Sequence, residues 1–529
     1  MKNLLVILGL GLSCVSAIAQ TRLTDINISG SSTPMELTAI GDNLYFGATD
    51  FVNGYEPYKL DTAGNVTLIS DILPGVNSSS PQGFAESNGG VYFLAAPSLG
   101  DMKMYKYDSN GLMLILSSGF ENTFQLPQNH RLTSYDGGII VSHDDNSFNI
   151  GTEPYFYDGS SNALQLLMDI NPNLLGSAPS EFFEWNGVMY FAATNDTYGR
   201  ELWSFDGISV TRLTDMAAGQ LDGLPNMVTV ATPRFKVFND HLYFSANSGA
   251  TNQFGLYKYD GINSPVLASA DSNYRVINGF FEVNNKLVLT AMDTNFQSHL
   301  YTYDEVNQEQ FLSDTLMFKA AVYNDKILFT RSEIATGREL WECDGITAPH
   351  IVADLNPGAG SSVTSMHFSN FNLTTIFEDK FYFNGDDGQS GTELWAYDGV
   401  NPPCQITDFP LETFSPYYLT VFHNDLYFTG NDGVYGTEIW KLNGEPLGVD
   451  NLTPIEINVF PNPTTDYVQI ETDEEIKELQ ITDMMGKVVY NATNPSKKID
   501  LSTLATGTYI INLVLENRQY SETVVISAN

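Results

Sequence analysis

The sequence predicts an all-β chain: a β-propeller of four-stranded blades followed by a small immunoglobulin-like β-sandwich. Three observations predict it. A motif centred on an aromatic residue recurs nine times, from Tyr58 to Trp440, at about 48 residues per repeat. Short apolar runs alternate with Gly, Asn and Asp turns, and no segment has a convincing helical period. Beyond residue 455 the pattern changes to a second set of short alternating strands.

Composition agrees. The chain has 529 residues, 63 acidic against 24 basic, for a net charge of −39, yet only 16 % are charged and 12 % are aromatic. Few charges with many aromatics and 43 glycines describe a folded chain of strands and turns, not an acidic disordered tail. So few basic residues argue against nucleic acid or an anionic membrane surface as a partner.

Residues 1–19 read as a signal peptide. Lys2, the apolar run Leu4–Leu12 and Ser16-Ala17-Ile18-Ala19 form a basic region, a hydrophobic region and a small-x-small cleavage site. Cys14 offers the alternative of a lipoprotein anchor, but Gly11-Leu12-Ser13 fits poorly before such a cysteine. Cleavage after Ala19 leaves 63 acids against 23 bases, a net charge of −40. No later stretch approaches 18 apolar residues, so no transmembrane helix is expected in the mature chain. The two remaining cysteines, Cys343 and Cys404, do not look like a disulfide framework.

Residues 20–446 carry the repeats. Each unit has an apolar run such as Leu44-Tyr45-Phe46 or Met189-Tyr190-Phe191 after a tight-turn signal. About ten residues later comes the second element, clearest as Gly199-Arg200-Glu201-Leu202-Trp203-Ser204-Phe205-Asp206-Gly207. The others that match it well run Gly337–Gly345 and Gly391–Gly399, around Trp341 and Trp395. A third element, such as Thr211-Arg212-Leu213-Thr214-Asp215, closes the unit, and a strand such as Phe182–Trp185 precedes it. The ninth unit, around Trp440, lacks a third element, whereas the mature N-terminus opens with Thr21-Arg22-Leu23-Thr24-Asp25. A ring closed by its N-terminal strand follows, because closure removes open edges. Nine blades follow from the count; merging a weak repeat would give eight.

These units resemble a bacterial family of exported proteins named for its Glu-Leu-Trp-x-x-Asp-Gly repeat. The resemblance implies a repeat fold on secreted proteins and no particular chemistry.

Residues 447–455 form a linker, and 456–529 the second module. It runs through Pro461-Asn462-Pro463, the Asp483-to-Gly486 turn and Gly507-Thr508-Tyr509 to a last strand at Thr523–Ile526. In this order the three motifs resemble the type A C-terminal sorting domain of the type IX secretion system. The resemblance implies recognition by that machinery, export across the outer membrane, then removal of the domain, leaving the cargo secreted or on the cell surface. Ser521-Glu522 stand where basic residues are common in that family, which bears on surface attachment more than on export.

No catalytic motif is present: neither His-Glu-x-x-His, nor Gly-x-Ser-x-Gly, nor a phosphate-binding loop. The seven histidines lack common spacing. Asp stands three residues after the central aromatic in eight of nine units, including Asp206, Asp344 and Asp398. Repetition marks these acids, with Trp203, Trp341, Trp395 and Trp440, as architecture rather than as one active site. Glu stands two residues before the aromatic in six units and is expected to be half-buried, accepting hydrogen bonds from a neighbouring blade. No cofactor is expected. Calcium is the one metal for which donors suggest themselves, at Asp196, Asp386, Asp387 and Asp432 in hairpin loops. The functional expectation is therefore a surface or secreted binding scaffold for an extracellular glycan or protein. The alternative is a polysaccharide hydrolase or lyase using a carboxylate pair at the channel.

Overall fold

The computed structural model describes residues 20–527 except 29, 121–131, 145–149, 161–162, 226–233, 248, 250–252, 270–273, 294, 307, 315–319, 364–372, 410–413, 444–457, 473–475, 484–486, 494 and 515–518. The signal-peptide segment, Cys14 and Gly486 lie outside the described residues. The chain divides into two compact units, Met1–Glu445 and Pro446–Asn529. Every element of regular structure among the described residues is a β-strand.

Among its described residues the first unit contains nine four-stranded antiparallel sheets, eight of them built from consecutive strands. The fourth sheet shows the pattern, with strands Ser180–Trp185, Val188–Asn195, Gly199–Phe205 and Val210–Arg212. Its second strand reads as a continuous apolar run because both faces are covered. Met189 and Phe191 pack against the third sheet, while Tyr190 packs against the fifth. The same division holds all round, so every sheet shares an apolar core with its successor. The ninth sheet shares one with the first: Tyr418, Phe422 and Ile439 pack with Leu37, Leu44 and Phe46.

The ninth sheet takes its fourth strand from the other end of the chain. Tyr417–Phe422, Asp425–Asn431 and Thr437–Asn443 are joined by Gln20–Arg22, with Gln20 opposite Leu442 and Arg22 opposite Trp440. The side chains repeat as well. Arg22 lies 3.6 Å over the Tyr435 ring and 3.3 Å from Asp25, as Arg212 lies 3.3 Å over Tyr198 and 3.3 Å from Asp215.

The first strands of four sheets carry a feature that the repeat pattern does not announce. Glu36, Gly83, Glu181 and Tyr418 have φ between 55° and 69°, each three residues after a Thr33, Ser80, Ala178 or Ser415 that is also left-handed and precedes proline. In each of these strands the register shifts by a β-bulge. Cys343 is a buried free thiol, so it forms no bridge with Cys404.

The second unit pairs a three-stranded sheet (Asn458–Phe460, Tyr467–Glu471, Lys498–Asp500) with a four-stranded one. The latter holds Glu478–Asp483, Val488–Thr493, Gly507–Val514 and Gln519–Ile526. Val468, Ile470 and Ile499 from one sheet share a core with Leu479, Ile481, Ile511 and Val524 from the other.

Candidate functional site

The recurrent glutamates are fully buried. Glu56, Glu153, Glu201, Glu339, Glu393 and Glu438 all have 0 % exposure. The sequence placed their hydrogen-bond donors in a neighbouring blade; they come instead from the segment that leads out of the same sheet into the next. Glu56 accepts from the Ser79 hydroxyl at 2.6 Å and from the Ser79 and Ile72 N–H groups, both at 3.0 Å. Glu153 accepts from the Ser177 hydroxyl and from Ile170 and Asn171 N–H, and Glu339 from the Ser362 hydroxyl and from Leu355 and Ser362 N–H. In Glu201 and Glu393 the hydroxyl belongs to Thr214 or Thr407. Burial pushes all six carboxyls above the ordinary range, Glu153 and Glu393 to about 7, against the pull of these donors.

Two residues before each glutamate stands a glycine with positive φ, such as Gly199 at 70° and Gly337 at 71°. A Cβ on Gly199 would lie 2.2 Å from the Leu221 carbonyl oxygen, and one on Gly337 1.8 Å from that of Gly360. Gly-x-Glu is thus a clamp: the glycine admits the connecting segment at backbone contact and the carboxylate ties it down. With both ends spent on structure and no exposure, these acids do not reach a substrate.

The repeated aspartates cap their own turns. One Asp206 oxygen accepts from Ile208 and Ser209 N–H at 2.9 and 2.7 Å, and Asp344 and Asp398 do the same in their hairpins. The Asn263 amide and two backbone N–H groups hold the equivalent Asp260 down to about 2. Trp203 and Trp440 donate their indole N–H to Ala193 and Gly430 carbonyls, both at 3.1 Å. Among the described residues the Trp341 and Trp395 indole N–H groups have no hydrogen-bond partner, and the Arg331 guanidinium lies 4.4 Å over Trp341.

The four calcium candidates are not brought together. Asp386 accepts from Gly388 N–H and its neighbour Asp387 from Gln389 and Ser390 N–H in one hairpin, and Asp432 from Val434 and Tyr435 N–H in another. Asp196 accepts from the Asn171 and Asn173 amides. Among the described residues no group of three His, Cys, Asp or Glu side chains could hold a metal ion.

A cavity of about 450 Å³ opens where the first strands of sheets five to seven meet, and sequence reasoning missed it. Lys236 contributes from the fifth sheet, Phe280, Glu282 and Asn285 from the sixth, Val322 and Asp325 from the seventh. Lys236 Nζ lies 3.2 Å from a Glu282 oxygen. A signal was available. Lys236 is the third-from-last residue of its strand, and the other eight first strands carry Thr, Ala or Phe there. In a repeat protein the residue that breaks the pattern is a better candidate than the one that keeps it.

The C-terminal motifs form one constellation. The Asn462 amide donates to the Thr523 carbonyl at 2.7 Å and its oxygen accepts from Val525 N–H at 2.9 Å, fastening Pro461-Asn462-Pro463 to the last strand. Tyr509, two residues into the strand that begins at Gly507, donates its hydroxyl to the Ala505 carbonyl at 2.9 Å. Asp483 closes its hairpin by accepting Lys487 N–H at 3.0 Å.

Residues 458–527 match the secretion system C-terminal sorting domain family. This type IX sorting domain implies interaction with the type IX secretion machinery and export to the outer cell surface or the medium. No curated protein matches the chain. Similar solved structures include the computationally designed Ika8 protein, at 12 % identity over 70 % of this chain and 98 % of that one, with a TM-score of 0.36. Another is PorZ, a surface component of the type IX secretion system of Porphyromonas gingivalis, at 10 % identity over 94 % and 86 % with a TM-score of 0.20. A third is the extracellular domain of the putative hybrid two-component system BT4673 of B. thetaiotaomicron, at 12 % identity over 94 % and 81 % with a TM-score of 0.25. At such TM-scores these likenesses carry no argument about this chain. No helix among the described residues is long and apolar enough to cross a membrane.

Proposed function

We infer that the nine sheets close into a nine-bladed β-propeller, delivered outside the cell by the C-terminal domain and acting there as a binding scaffold. Signal-peptide cleavage after Ala19 fits this reading, since it leaves Gln20 free to begin the fourth strand of the ninth sheet. One observation carries closure. Glu438, the last clamp glutamate, takes its donors from the far end of the chain: the Thr24 and Ser32 hydroxyls, both at 2.7 Å, and Ser32 N–H at 3.0 Å. Thr24 does for Glu438 what Thr214 does for Glu201, and Ser32 what Ser79 does for Glu56. The scaffold reading rests on how the recurrent acids are used. The clamp glutamates are buried and the turn aspartates cap backbone, so the repeats supply a rigid frame rather than a carboxylate pair. The full chain on a glycan and protein array, with a reducing-sugar assay on retained glycans, tests it. Retention without new reducing ends is expected; release of reducing ends overturns it.

A further inference from the structure

We propose that the cavity between sheets five, six and seven binds a neutral saccharide unit, with Glu282, Asn285 and Asp325 meeting its hydroxyls and Val322 its C–H face. The proposal rests on the scaffold reading and gives that scaffold a site and a ligand class. A volume of about 450 Å³ is in the range of small-ligand pockets and suits a short saccharide. The wall is mixed in the way a sugar requires. Val322 is 38 % exposed, an apolar surface beside exposed Glu282, Asn285 and Asp325, with buried Phe280 behind it. Carboxylates accept from hydroxyls, and an amide both donates and accepts, so the three groups match a vicinal diol.

Charge decides between saccharides. Lys236 is matched by Glu282 at 3.2 Å, leaving the Asp325 carboxylate as the excess charge of the pocket. A chain of net charge −39 adds repulsion for uronic-acid or sulfated sugars, so a neutral one is selected. Position supports the site as well. Lys236 and Glu282 reach across from two adjacent first strands, and the tight turns carrying Asn285 and Asp325 fix both residues at φ of 56° and 54°. The turns therefore fix where these two side chains leave the backbone.

The test uses the full chain on an array of neutral gluco-, manno- and galacto-oligosaccharides with uronic-acid oligosaccharides beside them, followed by titration calorimetry of the retained probe. Val322→Arg fills the cavity from an exposed position. Val421→Arg, at the corresponding position of the ninth sheet and 36 % exposed, is the control for folding and charge. Neutral probe bound by the wild type and by Val421→Arg, and at least about tenfold more weakly by Val322→Arg, is the expected result. Neutral probe bound equally by Val322→Arg overturns the site and leaves the scaffold reading standing. The site is overturned in the same way if Val421→Arg loses as much, or if only uronic-acid probes are retained. Retention of no saccharide by the wild type overturns the site, while the scaffold reading falls only if the glycan and protein array also retains nothing.

Discussion

Each clamp glutamate satisfies two to four donors that burial has removed from water, so its loss is felt as orphaned N–H and O–H groups rather than as a missing charge. Glu339→Ala is expected to cost about 3 kcal/mol, with Glu339→Gln intermediate because it keeps a carbonyl acceptor; denaturant unfolding of the two variants reads the difference. Gly337→Ala is expected to cost about as much, since the added Cβ meets the Gly360 carbonyl at 1.8 Å and φ is 71°. The raised carboxyls also give stability a pH dependence of definite sign. Glu153 and Glu393 sit at about 7 in the folded chain against an ordinary 4.5, so the folded state holds more protons between these values. Their contribution is complete below about pH 4.5 and is lost as pH rises through 7. The double variant Glu153→Gln/Glu393→Gln should therefore show a flatter fall in Tm from pH 5 to pH 8 than the wild type. An equal fall would mean that the two carboxyls do not titrate there. The glutamates were legible in the sequence because their spacing from the aromatic is constant. Their donors were not: the hydroxyl lies 23 or 24 residues on for Ser79, Ser177 and Ser362, but 13 or 14 for Thr214 and Thr407. Two solutions to one desolvation problem leave no fixed motif to read.

Among the elements, the second and third strands of each sheet announce themselves and the first and fourth do not. A strand covered on both faces must be apolar at every position, which is why Leu44-Tyr45-Phe46 and its sisters stand out. Fourth strands are as short as Gln165–Leu166 or Cys404–Gln405 and leave little pattern. First strands are bent by left-handed residues such as Glu36 and Tyr418, types without a preference for that region, so the bulge is imposed by the surroundings and not by local propensity. The Lys236 cavity lies among the first strands of three other sheets, where strands as short as Phe235–Phe238 and Ala320–Tyr323 leave little pattern to read. The N-terminal strand was legible because Leu23-Thr24-Asp25 repeats the third element, and it gives the prediction that belongs to this scale. Thr24→Ala/Ser32→Ala leaves buried Glu438 with the Ser32 N–H alone of its three hydrogen bonds. A loss of about 3–5 kcal/mol is expected, together with self-association as Thr437–Asn443 becomes an open edge. Calorimetry and size-exclusion chromatography of that variant against Thr67→Ala, an exposed strand position, separate the effect from a generic hydroxyl loss.

For the whole molecule, the division into two compact units separates what holds the protein together from what carries it out of the cell. The nine sheets share apolar cores with one another, the ninth with the first included, and the C-terminal sheets share a core of their own. Removing 446–529 is therefore expected to leave the melting of the nine-sheet unit within a few degrees of its value in the full chain. Export should respond differently. The sorting domain presents Asn462 fastened to the last strand through Thr523 and Val525, so the motif and the C-terminal strand form one surface. In a host with type IX machinery, the chain lacking 446–529 should accumulate inside the outer membrane while the full chain reaches the surface or the medium. Asn462→Ala tests the narrower point, because it frees the Pro461-Asn462-Pro463 segment without touching the apolar core. It should reduce export several-fold while leaving the nine-sheet unit's Tm unchanged. Normal export of Asn462→Ala would show that the machinery does not read this fastening, and normal export of the truncation would remove the domain's role altogether.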